Sequence, residues 1–331
     1  MGRKPVYEID AKRIIDFNSD FGHKKLCDGF TFSLGSICVY SCSFCYVIPM
    51  ILKLDAIQLV KKVARLAGKG LEDVVVRRRN AIKILRRQLT IERPAHVNLK
   101  KKAVIYTSPL VDPAANMALV EETAVACRTI FELTNWDVRV LSKSSFLPQL
   151  AKLIPAEFKD RMIYGFSTGT FDDDLCKSFE EGTALVSKRI EALHWLQDNG
   201  HRSFGMLCPI LPQKDYDEYA KCAVKALRLD LCEHIWAEAI NLRGDSFPAT
   251  CEALEKGGFH GEAERLRRVF GPGSGETWEQ YSRDAFEALA RHIPPEKLRF
   301  LQYAKPAHAE WWIERESKGA ILLGKAFISK Q

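Results

Sequence analysis

The chain has 331 residues, 47% of them hydrophobic, and a formal net charge of +7; that is enough apolar content to bury a large core, and it excludes a disordered protein. No apolar run approaches the roughly 18 to 20 residues of a membrane span, and the opening "MGRKPVYEID" has no secretory core, so the chain is expected in the cytoplasm. Charge is unevenly spread: residues 61–102 hold fourteen Lys or Arg against Glu72, Asp73 and Glu92, a local +11 that points to a polyanionic partner on one face.

Residues 1–28 read as an N-terminal extension. From there β-rich runs alternate with helical periodicity. A first strand over "FTFSLGSI" (30–37) leads into "GSICVYSCSFCYV" (35–47), where Cys38, Cys42 and Cys45 crowd into eight positions. Helices over 54–67 and 78–90 follow, then strand "AVIYTS" (103–108), helix 113–134, strand "DVRVLSKS" (137–144) and helix 146–153. Strand "RMIYGFST" (161–168), helix 184–199, strand "SFGMLCPI" (203–210), helix 215–229 and strand "EHIWAEAI" (233–240) complete the rhythm. Six such units predict an α/β fold with a parallel sheet, a partial (β/α)6 barrel over residues 29–245. After Gly244 the rhythm stops, and 246–331 reads as a mainly helical C-terminal region broken by "GPGSGE" (271–276) and "IPPEK" (293–297).

In such an architecture function collects at the carboxyl ends of the strands. The cysteine loop follows strand one there, and "YTSP", "SKS" and "STGT" follow the next three strands. The ten cysteines do not read as a disulfide framework in so long an unsecreted chain, and scattered ones such as Cys208 and Cys232 read as small buried hydrophobes. The cluster of three is different. Three thiolates fill a tetrahedral zinc site incompletely, and no fourth Cys or His follows at short spacing. A [4Fe-4S] cluster on three cysteines leaves one iron open to a substrate or cofactor, which suits a loop at a barrel mouth.

C-x3-C-x2-C followed by an aromatic resembles the signature of the radical S-adenosylmethionine (SAM) superfamily at every defining position of "CVYSCSFCY". The resemblance implies that Cys38, Cys42 and Cys45 bind three irons and SAM the fourth, and that Tyr46 packs near the adenine. The run "YTSPLVDP", "VLSKSS", "GFSTGTFDDDL", "FEEGTALVSKRIEALHWLQDNGH", "CPILPQKDYDEY" resembles the spore photoproduct lyase branch over about residues 30–245. That branch implies Ser108 near the SAM amino group and Lys143 near its carboxylate, with Ser167 as a further cofactor contact. Glu180, Thr183 and Arg189 match a pattern implying a role in organising the barrel wall.

One position departs from the branch. Where it carries a hydrogen-returning cysteine just before Thr-Ser, this chain has Tyr106. A phenol can also give a hydrogen atom, so Tyr106 is the candidate catalytic residue, with lining of the SAM pocket as the alternative. "VVVRRRNAIKILRRQ" (74–88) offers Arg78, Arg79, Arg86 and Arg87 to nucleic-acid phosphates. Tyr303, Trp311 and Trp312 are candidates to stack on an exposed base. His194 and the other lone histidines carry no particular expectation. The expected function is a radical SAM enzyme that repairs or rearranges a modified base in DNA, fed by a flavodoxin or ferredoxin. The alternatives are a radical SAM enzyme acting on a small molecule or peptide, and a non-catalytic zinc or nucleic-acid-binding protein.

Overall fold

The computed structural model describes residues 4–107, 109–241, 246–271 and 275–324. Two compact units divide the chain, Met1–Ile163 with Glu180–Thr183, and Tyr164–Phe179 with Ala184–Gln331. The boundaries expected at 28/29 and 245/246 fall inside the first and the second unit respectively. In chain order the strands are β1 Val6–Ile9, β2 Ile15–Asp16, β3 Phe30–Phe32, β4 Gly35–Ile37, β5 Ser41–Cys42, β6 Val75–Arg78, β7 Val104–Thr107, β8 Asp137–Ser142, β9 Met162–Thr168, β10 Glu180–Glu181, β11 Arg202–Ile210, β12 Cys232–Ala239, β13 Leu298–Tyr303 and β14 Ala320–Leu323.

In the first unit β3, β7 and β8 run parallel in that order, with β2 antiparallel on the outer side of β3. The branched residues Ile105, Val138 and Val140 are fully buried, as strands covered on both faces require. The crossover between β7 and β8 is the helix Met117–Leu133, rich in Ala, Leu and Glu. It starts where the Asn116 side chain accepts the Leu119 N–H at 3.0 Å and stops at the extended Thr134. A smaller sheet, β1-β6-β4, pairs β1 with β6 in parallel and β6 with β4 antiparallel. The run expected as one strand over 30–37 therefore divides between two sheets. Gly35 permits the second pairing, because a Cβ there would stand 2.8 Å from the Val76 carbonyl oxygen.

In the second unit β11, β12, β13 and β14 are successively parallel. The helices Val186–Asp198 and Tyr216–Leu227 fall where periodicity predicts them, the latter capped by the Asp215 carboxylate on the N–H groups of Asp217 and Glu218. No helix among the described residues is long and apolar enough to cross a membrane.

The strand order in each unit runs from edge to edge, so the parallel sheet is open and no barrel closes among the described residues. Residues 246–331 are mainly helical where described and also contribute β13 and β14, because "LRFLQY" and "AILL" bury most of their side chains against the sheet instead of presenting a helical polar face. One expectation is corrected: the basic helix starts at Ala81, not 78, because Val75–Arg78 pairs with β1.

Candidate metal centre

The three cysteines hang on short secondary structure of the first unit. Cys38 follows β4 directly, Cys42 ends β5, and Cys45 closes a turn by donating its N–H to the Cys42 carbonyl at 3.1 Å. Two residues later the helix Val47–Ile51 begins. β5 pairs antiparallel with β10, which sets Glu180 opposite Cys42 and Glu181 opposite Ser41. β10 ends in a tight turn: Gly182 takes φ +83°, and the Thr183 hydroxyl donates to the Glu180 carbonyl at 2.7 Å.

Two acidic groups tie this loop to the end of β8. Asp112 donates its backbone N–H to Cys38 Sγ at 3.5 Å, while its carboxylate accepts from Ser142 Oγ at 2.7 Å and from the Lys143 N–H at 2.6 Å. Glu180, whose carboxylate is wholly buried, is paired with Lys143 Nζ at 2.5 Å. Lys143 also lies over the Phe44 ring at 5.5 Å. Lys143 is thus a largely buried counter-ion, not a solvated strand-end lysine. On the other side Lys4 Nζ donates to the Glu72 carbonyl at 2.6 Å and lies within electrostatic reach of Cys38 and Cys42.

The thiols are chemically marked. Each cysteine as a whole residue is half-buried, yet desolvation pushes Cys38 up to about 12, with the Asp112 charge adding to it. Burial and then Glu180 raise Cys42 well above the ordinary thiol value, opposed by Lys143. Burial raises Cys45 too, opposed by the Val47 N–H and by Lys143 and Lys4. Three thiols that burial keeps protonated become ligands when a cationic metal supplies the missing charge. Among the described residues no three Cys, His, Asp or Glu side chains gather as one metal ion requires. An iron–sulfur cube is less demanding, since it takes each sulfur on a different iron. The N–H groups aimed at Cys38 and Cys45 suit such sulfurs.

The other expected site residues fall as follows. Tyr46 is half-exposed and its hydroxyl donates to the Pro109 carbonyl at 2.9 Å, bridging the cysteine loop to the segment after β7. Ser108 lies outside the described residues. Ser167 belongs to the second unit, where its hydroxyl donates to the Cys208 carbonyl at 3.1 Å and its carbonyl accepts from Arg189 at 2.7 Å. Tyr106 is buried on the sheet face it shares with its register partners Thr31 and Arg139. There its ring stacks on Phe21 at 5.3 Å, and Arg139 donates to the Leu26 carbonyl, so the segment 21–26 covers this face.

The four arginines do not share one helical face. Arg78 sits on β6 and spends its guanidinium on Ser36 Oγ and the Ser33 carbonyl, with burial lowering its pKa to about 10. Of the four it is the one whose guanidinium is engaged by its own unit's backbone and hydroxyl groups. Arg79 and Arg86 are exposed, Arg87 is half-buried, and each meets a carboxylate, of Asp10, Glu132 and Glu92. Trp312 is core, stacked on Phe300 and donating to Glu279, so it is no base platform; Trp311 lies against the guanidiniums of Arg283 and Arg315. His194 bonds the Ala226 carbonyl between helices. Asp112 is the residue that sequence reasoning missed, although it stands inside "YTSPLVDP".

The fold is thus an open α/β fold in which Asp112 and Lys143, after the parallel strands β7 and β8, meet the three-thiol loop that follows β4. Among solved structures the chain is similar in fold to spore photoproduct lyase complexed with dinucleoside spore photoproduct, at TM-score 0.55 and 13% identity over 81% of this chain and 80% of that one. A tyrosine-to-phenylalanine variant of the same lyase matches at TM-score 0.54 and 14% identity over 81% and 80%. No family model matches the chain, and no curated protein matches it.

Proposed function

We propose that this chain is a radical SAM enzyme that acts on a modified base in DNA. The observation that carries the reading is the meeting of Cys38, Cys42 and Cys45 with the buried Lys143–Glu180 pair and Asp112 at the carboxyl ends of β4, β7 and β8. Cys38, Cys42 and Cys45 would hold a [4Fe-4S] cluster, which would supply the one electron that breaks the C5′–S bond of SAM into methionine and a 5′-deoxyadenosyl radical. Lys143 places an ammonium charge beside the cysteine loop, which suits a carboxylate of the cofactor; Tyr46, Ser108 and Ser167 complete the cofactor set. The dinucleoside lesion in the similar lyase supports DNA as the substrate. The cytoplasm and a flavodoxin or ferredoxin donor belong to the same reading.

The carboxylate partners of Arg79, Arg86 and Arg87 favour a second reading, in which the substrate is a small molecule or peptide. Anaerobic turnover with SAM and a panel of modified DNAs, read by nucleoside mass analysis, decides between them. A changed nucleoside is expected. Neutralising the three arginines is expected to flatten the slope of log affinity for DNA against log salt, by up to about 0.9 for each phosphate no longer neutralised. An unaltered slope and no changed nucleoside favour the small substrate.

Tyr106 is proposed as the hydrogen-atom donor to the product radical. Tyr106→Phe retains the stack on Phe21 and removes only the hydroxyl. It is expected to leave SAM cleavage intact while product per SAM cleaved falls, and Tyr106→Cys is expected to restore that yield. Equal yields in all three proteins would remove Tyr106 from the chemistry.

A further inference from the structure

The helix Asp55–Leu66 has three sides. Ile57, Val60 and Ala64 face inward and join Val47 and Ile51 in one core cluster, against which Cys45 itself packs. The outward half divides. Leu59, Val63 and Leu66, at i, i+4 and i+7, form an apolar stripe with relative exposures of 64%, 41% and 82%. Beside it Lys61, Lys62 and Arg65 are exposed, as are Lys53 and Lys69 at either end, and among the described residues none of these cations has an ion-pair partner. Asp55 is the one acid among residues 53–69.

A stripe of large apolar side chains in water is costly unless something covers it. Nucleic-acid phosphates would reward the cations and leave Leu59, Val63 and Leu66 wet. A second copy docked on this face would bring Lys62 and Arg65 against like charge. A membrane surface would gain little from three side chains at one helix edge. A protein with an apolar centre and an acidic rim answers both stripes at once.

The position of the helix gives the partner its chemistry. Its buried side and Cys45 pack into the same core cluster, so only that cluster and the helix itself stand between the outer patch and the third thiol. We propose that the outer face of Asp55–Leu66 docks a small acidic one-electron carrier protein that reduces the cluster. The inference rests on the cluster reading above. In the step, the carrier's reduced flavin or iron–sulfur centre loses one electron and the cluster gains it; no group and no proton changes hands. The division of the basic segment also becomes intelligible: Arg79, Arg86 and Arg87 are internally paired, whereas the cations of this helix are left for a partner.

The test uses the full chain, reconstituted, with an acidic flavodoxin and an acidic [2Fe-2S] ferredoxin as probes. Binding is measured by calorimetry and cluster reduction by stopped-flow absorbance. Leu59→Glu with Val63→Glu, and separately Lys62→Glu with Arg65→Glu, are expected to weaken binding of at least one carrier roughly tenfold or more. Reduction by that carrier should slow in step, while dithionite reduces every variant at the wild-type rate. Wild-type affinity in both double variants overturns the proposal. So does binding to phosphatidylserine vesicles with no binding of either carrier, or a shift from dimer to monomer as the sole effect of the substitutions. If reconstitution yields no cluster, the cofactor reading fails by itself, and the binding series still decides the docking surface.

Discussion

Cys42→Ala is expected to lower bound iron from about four per chain to a residue of adventitious metal and to eliminate SAM cleavage, because each thiolate holds its own iron and the loop 38–45 contains no further Cys or His. The geometry separates this loss from misfolding. Cys42 contributes to the β5–β10 pair through its backbone, which alanine reproduces, so Glu180 keeps its place opposite position 42. Deleting one buried sulfur costs on the order of 1 kcal/mol, a fall of roughly 2–4 °C in the melting of the metal-free protein for a chain this long. Iron analysis, visible absorbance and metal-free melting of Cys38→Ala, Cys42→Ala and Cys45→Ala should therefore show three colourless proteins that melt close to wild type. Full iron and SAM cleavage in Cys42→Ala would sink the cluster assignment. A colourless wild type carrying one zinc would sink the enzyme.

The thiols were legible because their spacing is local: C-x3-C-x2-C is a statement about eight consecutive residues. What surrounds them was not, since Lys143 and Glu180 stand 37 positions apart and Asp112 reaches Cys38 across 74. The sequence motifs contained all three residues, but only folding shows which of them meet. The helices Met117–Leu133, Leu147–Leu153, Val186–Asp198 and Tyr216–Leu227 followed from 3.6-residue periodicity with clear ends. β6 was not read as a strand, and its last residue, Arg78, was counted into the basic helix, because "VVVRRR" is a three-residue apolar run leading straight into helix-forming residues. A strand there needs β1 to pair with, and β1 lies some 69 positions earlier, the same separation that gives Arg79 its partner Asp10. The basic character was legible in sequence but its division in space was not: Arg78 points inward, Arg79, Arg86 and Arg87 each meet a carboxylate, and Lys61, Lys62 and Arg65 on the preceding helix meet none among the described residues. β13 and β14 were hidden by their neighbours, short strands set among helices, and only the edge of the existing parallel sheet makes them strands.

Lys143→Ala is expected to be the most destabilising single change in the centre. Glu180 has no solvent-exposed side-chain surface and Lys143 only 14%, so truncating the lysine removes the ion-pair partner of a buried carboxylate. Breaking a buried pair from one side costs about 3–5 kcal/mol, enough to lower the melting temperature of the metal-free protein by roughly 10 °C. The same truncation leaves the Glu180 charge acting on Cys42 without the lysine that opposes it, so iron uptake should fall as well. Lys143→Met with Glu180→Gln removes both charges while retaining shape, and is expected to recover more than half of the lost stability, because the desolvation of two ions disappears with their attraction. That double variant then isolates the role in cofactor binding. Its thiols and β5–β10 pairing are intact, so it should take up a cluster. If Lys143 holds the SAM carboxylate, the reconstituted double variant binds SAM at least tenfold more weakly than wild type, a loss of about 1.4 kcal/mol or more, and titration followed by the electron paramagnetic resonance of the reduced cluster reads it directly. Wild-type SAM affinity in the double variant would assign Lys143 solely to neutralising Glu180 and leave the carboxylate to another group.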